Sequence, residues 1–382
     1  MSSDPIRLGM VGGGQGAFIG AVHRIASRID DNYVLVAGAL ASDTERAMAS
    51  GAELGLDPNR TYSDFQKMAS RERRLRAGIE AVAIVTPNHM HYPVARAFLR
   101  AGIHVICDKP LVTTLSEARR LQKLVTDSGC IFVLTHNYTG YPMIRQARTM
   151  VADGDLGTIR VVQAEYAQDW LTEKLESTGQ KQAEWRTDPK RSGAGGCIGD
   201  IGTHAYNLAC FVTGLELKEL SAELTTFVEG RLLDDNVHIL MRFNGGAKGM
   251  LWASQVAPGN ENNLRLRVYG TKGGLEWSQE DPNYLWFTPF GESKRLITRG
   301  GAGSNDAAGR MTRVPPGHPE GYLEGFANIY GEAAAAIRAA RSGHPASKDV
   351  HFPTVDDGVK GISFIDAAVR SSAAGGRWTK PK

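Results

Sequence analysis

Three short stretches hold residue types whose spacing suits chemistry. Gly12-Gly13-Gly14-Gln15-Gly16 is a glycine cluster of the kind that lets a backbone turn tightly and approach a pyrophosphate. Asp108-Lys109-Pro110 sets an amine beside a carboxylate. Asp200-Ile201-Gly202-Thr203-His204 follows a second glycine cluster, and its Asp and His are four residues apart, so a helix would carry both on one face. A Lys, an Asp and a His brought together at a domain cleft form an acid/base set for oxidising an alcohol.

The elements around these stretches predict how they are held. Ile6–Val11, Tyr33–Leu40, Ala81–Val85, Ile103–Cys107 and Cys130–Thr135 read as buried strands. Helical patterns at Phe18–Ser27, Thr44–Leu54, His91–Ala101 and Ser116–Ser128 lie between them. Continuous apolar strands separated by helices predict a parallel sheet covered on both faces, with ligands beyond the carboxyl ends of its strands. Four unusual loops fall at such ends: Gly12–Gly16, Thr86-Pro87-Asn88, Asp108–Pro110 and His136–Tyr138. Beyond them, Ile159–Gln168, Leu220–Val228, Asn236–Phe243, Gly249–Gln255 and Leu264–Tyr269 read as successive strands, with helices at about Gly199–Thr213 and Tyr322–Arg341. The expected architecture is α/β: a dinucleotide-binding domain over residues 1–136, then an α+β domain over 137–382 with an open, mostly antiparallel sheet. Gly300–Gly309 reads as a mobile polar loop.

The glycine cluster fits two registers. Gly12-x-Gly14-x-x-Ala17 matches the dinucleotide fingerprint directly. Alternatively Gln15-Gly16-Ala17 is an insertion and Gly20 the third glycine. The stretch after the second strand, Leu40-Ala41-Ser42-Asp43, has no Arg for a 2′-phosphate, which favours NAD without excluding NADP. With 44 basic against 41 acidic residues, the chain lacks a nucleic-acid footprint; Arg71–Arg76 is the one dense basic run and reads as a solvated face. No apolar run approaches the ~20 residues that cross a bilayer. Four cysteines without framework spacing, and an opening Met1-Ser2-Ser3-Asp4-Pro5 without a leader pattern, predict a cytoplasmic protein. His89 and His91 lack a third ligand, so no metal is expected.

The combination resembles the glucose–fructose oxidoreductase / inositol dehydrogenase / rhizopine catabolism (Gfo/Idh/MocA) family over essentially the whole chain. The resemblance runs from Gly12-x-Gly14 through Thr86-Pro87-Asn88-His89-Met90-His91 and Asp108-Lys109-Pro110, where Asp replaces the family's usual Glu. It continues through Asn137 with Pro142, Trp185-Arg186-Thr187-Asp188-Pro189, and the Gly-Gly…Asp-x-x-x-His helix start. It implies an NAD(P)-dependent oxidoreductase acting on a secondary hydroxyl of a sugar, glycoside or cyclitol. It also implies a homo-oligomer, dimer or tetramer, formed through the C-terminal sheet. Gly12, Gly14, Gln15, Gly16, Ala17, Phe18, Ile19 and Ser42 would enclose the cofactor's phosphate and ribose side. Thr86, Pro87, Asn88, His91, Asp108, Lys109, Pro110 and Asn137 would complete its site.

In the roles that the resemblance implies, Lys109 binds and polarises the reacting oxygen, His204 is the general acid/base, and Asp200 orients the substrate. An imidazole titrates near neutral pH and can take a hydroxyl proton, while a Lys cation favours alkoxide charge. Tyr138, Trp170, Trp185 and Arg186 suit the lining of a sugar pocket, although core packing accounts for the tryptophans equally well. Gly317-His318-Pro319-Glu320-Gly321-Tyr322 looks like a subgroup mark, with His318 and Tyr322 as pocket candidates. The same residues would serve an NAD-dependent glycosidase that oxidises transiently and eliminates an aglycone. A non-catalytic sensor on the same fold ranks lower, because Lys109 and His204 are both present.

Overall fold

The structure, a computed structural model, describes residues 4–382, so Met1-Ser2-Ser3 of the opening read for a leader lies outside the described residues. The chain divides into two compact units. The first holds the chain up to Val112, with Ser116–Asn137 and Tyr322–Val359; the second holds Thr113–Leu115, Tyr138–Gly321 and Lys360–Lys382. Among the described residues no helix is long and apolar enough to cross a membrane.

The first unit is built on five parallel strands: β1 (Ile6–Gly12), β2 (Tyr33–Ala39), β3 (Ala81–Val85), β4 (His104–Cys107) and β5 (Phe132–Leu134), in the order β2-β1-β3-β4-β5. Alternation in β1 points Ile6, Leu8 and Met10 into a core shared with Val22 and Ala26 of the helix Phe18–Arg28. On the opposite face a Cβ at Gly9 would lie 2.6 Å from Met68 Cε, so the helix Phe65–Glu72 packs closely there. The helix Tyr322–Arg341 belongs to this unit, although the sequence places it after the boundary expected at residue 137. Its Phe326, Ile329, Tyr330, Ala333, Ala334 and Ile337 recur at helical spacing and complete the first core. Periodicity marks that apolar face but not the sheet it covers.

The second unit is an eight-stranded sheet. Its strands are β6 (Ile159–Ala167), β7 (Leu217–Thr225), β8 (Asn236–Phe243), β9 (Lys248–Ser254), β10 (Asn263–Gly270), β11 (Gly273–Ser278), β12 (Tyr284–Pro289) and β13 (Arg295–Thr298). The order is β13-β12-β11-β10-β6-β9-β8-β7, antiparallel except for β6 and β9. The last three strands lie beyond the five read from the sequence and are short, at six, six and four residues. Helices Pro142–Ala152 and Thr203–Thr213 cover one face, and Phe364 stacks on Tyr206 with ring centroids 4.1 Å apart. The other face carries one cross-strand row, Leu240, Met250, Gln163, Arg267, Glu276, Trp286 and Leu296. Its apolar members are exposed. Gly300–Gly309 is tied down: Gln146 donates to the Gly303 carbonyl and accepts from Asn305 N–H, and Asp306–Gly309 forms a helical turn.

Candidate functional site

In the first unit, the loop after β1 is shaped by close approach. Gly12 has φ 80°, and a Cβ there would sit 2.7 Å from the Val85 carbonyl. A Cβ at Gly20 would lie 2.4 Å from the Gly13 Cα. Gly20 therefore takes the helix-packing role of the third glycine, and Gln15-Gly16-Ala17 is the insertion. The insertion folds outward: Gln15 N–H donates to Ser50 Oγ and its side-chain amide to Glu53. Arg24 braces the loop through the Gly13 carbonyl at 2.6 Å.

These residues fit a dinucleotide. Phe18 and Ile19 open a helix whose N-cap, Ala17, offers no capping side chain and whose first turn holds no acid, leaving an anion-favouring terminus. A 380 Å³ cleft lies along Gly13–Phe18, Ala21, Arg24, Ser50, Glu53 and Leu54. Two polar atoms near strand ends, Thr86 Oγ1 and Asn137 Nδ2, are buried without a partner among the described residues and suit a polar ligand. Ser42 is exposed, and Asp43 caps the following helix through Arg46 N–H at 2.9 Å.

The other strand-end loops are joined by one ring. His91 is fully buried, with Nδ1 2.8 Å from the Pro110 carbonyl and Nε2 2.9 Å from the Thr86 carbonyl. Carbonyls only accept, so both contacts are hydrogen bonds only when the ring carries two N–H groups. Burial opposes that charge and lowers its pKa, while Asp108 favours it. Asp108 accepts from Thr135 Oγ1 at 2.8 Å and from Lys109 N–H at 3.1 Å. Two buried histidines that sequence reasoning left out of the site flank this loop. His136 is held down to about 3 by burial and by the charge of Lys109, so it is neutral. His23 Nδ1 meets Tyr330 Oη at 2.8 Å, and its Nε2 is 3.9 Å from Asp108. Nothing in a helix pattern separates such a histidine from a core residue.

In the second unit, Asp200 and His204 come from a helix that begins differently from expectation. Ile198–Gly202 is a single π-helical turn leading into the α-helix Thr203–Thr213. Such turns recur at functional sites. Asp200 Oδ2 accepts from Gln255 Nε2 at 2.9 Å and lies 3.2 Å from Arg186 Nε. The buried His204 ring stands edge-on to Tyr138, with centroids 4.9 Å apart. Tyr138 and Tyr166 hydroxyls are 2.6 Å apart, and Tyr166 donates to Asn262 Oδ1, which also receives Gln168 Nε2. Trp170 Nε1 donates to Gln168, so its indole belongs to this network. Burial keeps the Tyr138 phenol protonated.

The six-residue subgroup mark does not form one cluster. His318 is exposed, and its backbone carbonyl is held by Arg299. Glu320 is the motif's buried anchor: it pairs with Arg299 at 3.1 Å and accepts Val314 N–H. Tyr322 packs on Phe326 in the first unit, with centroids 5.2 Å apart. Cys107 and Cys197 are buried thiols pushed well above their ordinary pKa, as packing residues would be.

Residues 6–136 match the oxidoreductase family with an NAD-binding Rossmann fold, and residues 144–276 match the Gfo/Idh/MocA C-terminal domain. An oxidoreductase of known structure from Sinorhizobium meliloti is 62% identical, covers 99% of this chain and 100% of its own, and superposes with a TM-score of 0.90. An inositol dehydrogenase homologue from Azotobacter vinelandii, solved with NADH and myo-inositol, is 36% identical over 99% of this chain and 98% of its own, with a TM-score of 0.92. Levoglucosan dehydrogenase of Pseudarthrobacter phenanthrenivorans is 28% identical over 98% of this chain and 97% of its own. The chain belongs to the Gfo/Idh/MocA family of NAD-binding oxidoreductases.

Proposed function

We propose that this protein is a dehydrogenase that moves a hydride between a secondary hydroxyl of a cyclitol, sugar or glycoside and a nicotinamide. The observation that carries the reading is the pairing of Asp200 with His204 on one helical start, beside a buried network of tyrosine and amide side chains. Such donors and acceptors suit a ligand rich in hydroxyls and poor in charge. The inositol-bound and levoglucosan-linked relatives support the same substrate class. Bound NAD supplies the acceptor for the hydride leaving the carbinol carbon. His204 takes the hydroxyl proton, Lys109 favours negative charge on the reacting oxygen, and Asp200 orients the substrate through a hydroxyl. In reduction the same groups return the proton and stabilise the carbonyl.

The test is a panel of cyclitols, aldoses and glycosides scored by NADH formation. Stoichiometric NADH supports the reading. Glycoside hydrolysis without NADH accumulation supports transient oxidation and elimination instead. Failure to bind NAD in calorimetry overturns both. The exposed apolar row on the eight-stranded sheet is the face we assign to a homo-oligomer. Light scattering that shows a monomer, or an oligomer unaffected by Leu240→Glu, removes that assignment.

A further inference from the structure

Two adjacent acids, Asp234 and Asp235, precede β8 and are both buried. The Asp234 carboxylate accepts Gly196 N–H at 2.7 Å and Ile198 N–H at 2.8 Å, and its carbonyl accepts Cys197 N–H at 2.8 Å. One residue thus holds three consecutive amides of the turn that opens the Asp200 helix. The fit is tight, since a Cβ at Gly196 would lie 2.3 Å from the Asp234 carbonyl oxygen. Asp235 works from the other side. Its carbonyl accepts Gln255 N–H at 2.8 Å, and the Gln255 side chain donates to Asp200. The Asp235 carboxylate is itself held by Arg231 and by the Phe227 and Val228 amides.

We propose that Asp234 and Asp235 are positioning residues that fix the carboxylate of Asp200, the first through the turn that opens its helix and the second through Gln255. The proposal rests on the reading of Asp200 and His204 given above. It explains why a carboxylate is kept where burial penalises it. Burial pushes Asp234 up to about 6 against the pull of the Ile198 and Gly196 amides, and Asp235 raises it further. The charged groups around the turn are Asp235, paired with Arg231, and Asp200, paired with Arg186. A carboxyl raised on folding favours the folded state most at low pH, and that contribution is lost as pH rises through about 6. At neutral pH the protein therefore keeps a destabilising charge in order to hold two amides.

In Asp234→Asn the amide oxygen can satisfy one N–H, and its NH2 group faces the other. The expected result is a kcat lower by about 10–100-fold, as a misplaced group costs, with NAD affinity within twofold of wild type. Its melting temperature at pH 7 should be maintained. The wild type should gain melting temperature on going from pH 7 to pH 5 relative to Asp234→Asn. Gln255→Met severs the second link while leaving the Asp234 contacts to the Gly196 and Ile198 amides in place, and should lower kcat by about tenfold. If Asp234→Asn fails to fold, Gln255→Met decides alone. Wild-type kcat in every folded variant of the two overturns the proposal, as does loss of kcat only in step with loss of melting temperature. Asp200→Asn and His204→Asn in the same assay separate the two levels. If they retain turnover, the reading of the site fails; if they lose it while Asp234→Asn and Gln255→Met do not, only the positioning role fails.

Discussion

The two units hold their candidate residues by different means. In the first, Lys109 and its neighbours sit in loops at the ends of parallel strands, and the loops are joined through backbone carbonyls by the ring of His91. In the second, Asp200 is held by side chains remote in sequence, Arg186 on one side and Gln255 on the other. The first arrangement tolerates changes of side chain at its tip, because its shape belongs to the backbone. The second does not, because its shape is a set of side-chain contacts. The units also titrate in opposite senses. Burial keeps His136 neutral in the first, and burial raises Asp234 in the second.

The largest effects sharpen this contrast at the chemistry itself. Lys109→Ala should lower turnover by about 10³-fold or more, in the range of acid/base and electrostatic groups. Calorimetry should find NAD affinity nearly unchanged, because the loop keeps its backbone bonds. A parallel fall in affinity would break the contrast by showing that the side chain shapes the loop. His204→Asn should cost about 10²–10⁴-fold and remove the acid limb of the kcat–pH profile. A profile that keeps that limb assigns the titration to another group.

The opposed titrations come next. His136 is shifted from 6.5 down to about 3, so the unfolded chain takes up a proton that the folded unit refuses. Its contribution is present above pH 6.5 and is lost as pH falls, at up to about 1.4 kcal/mol per pH unit. Urea unfolding between pH 7 and pH 5 should show a shallower decline for His136→Asn than for wild type; equal slopes would place the charge change elsewhere. Removing the ring that joins two loops should have a smaller effect. His91→Ala should weaken NAD binding by about 1–3 kcal/mol, the cost of unsatisfied buried carbonyls, while melting of the second unit is unchanged. The smallest effect is expected at the network's hydroxyl. Tyr138→Phe should cost about 1 kcal/mol of stability and leave NAD affinity alone, as thermal unfolding with and without cofactor will report.

Much of the first unit was legible because its signals are local. β3 is fully apolar and bounded by Thr86-Pro87-Asn88, and the glycine cluster sits where a strand turns into a helix. Only the register within Gly12–Gly20 stayed open, since the deciding fact is that a Cβ at Gly20 would lie 2.4 Å from the Gly13 Cα. In the second unit the Asp200–His204 spacing was legible, while the π-helical turn beneath it was not. That turn depends on Asp234, more than thirty residues downstream. The adjacent acids before β8 were a visible signal, because a strand about to enter a core rarely opens on two carboxylates. Gln255 offered no signal at all.

By itself the sequence determined the alternation of strands and helices, the residue types able to do chemistry, and the strand-end loops that carry Lys109. These follow from side-chain periodicity and glycine geometry, which act over a few residues. The tertiary structure alone decided that Tyr322–Arg341 completes the first core, that Glu320 rather than His318 anchors the motif before it, and that Asp200 is gripped by Arg186 and Gln255. Each of these is a contact between distant positions, and its energy appears only once burial has removed the water that would otherwise satisfy both partners.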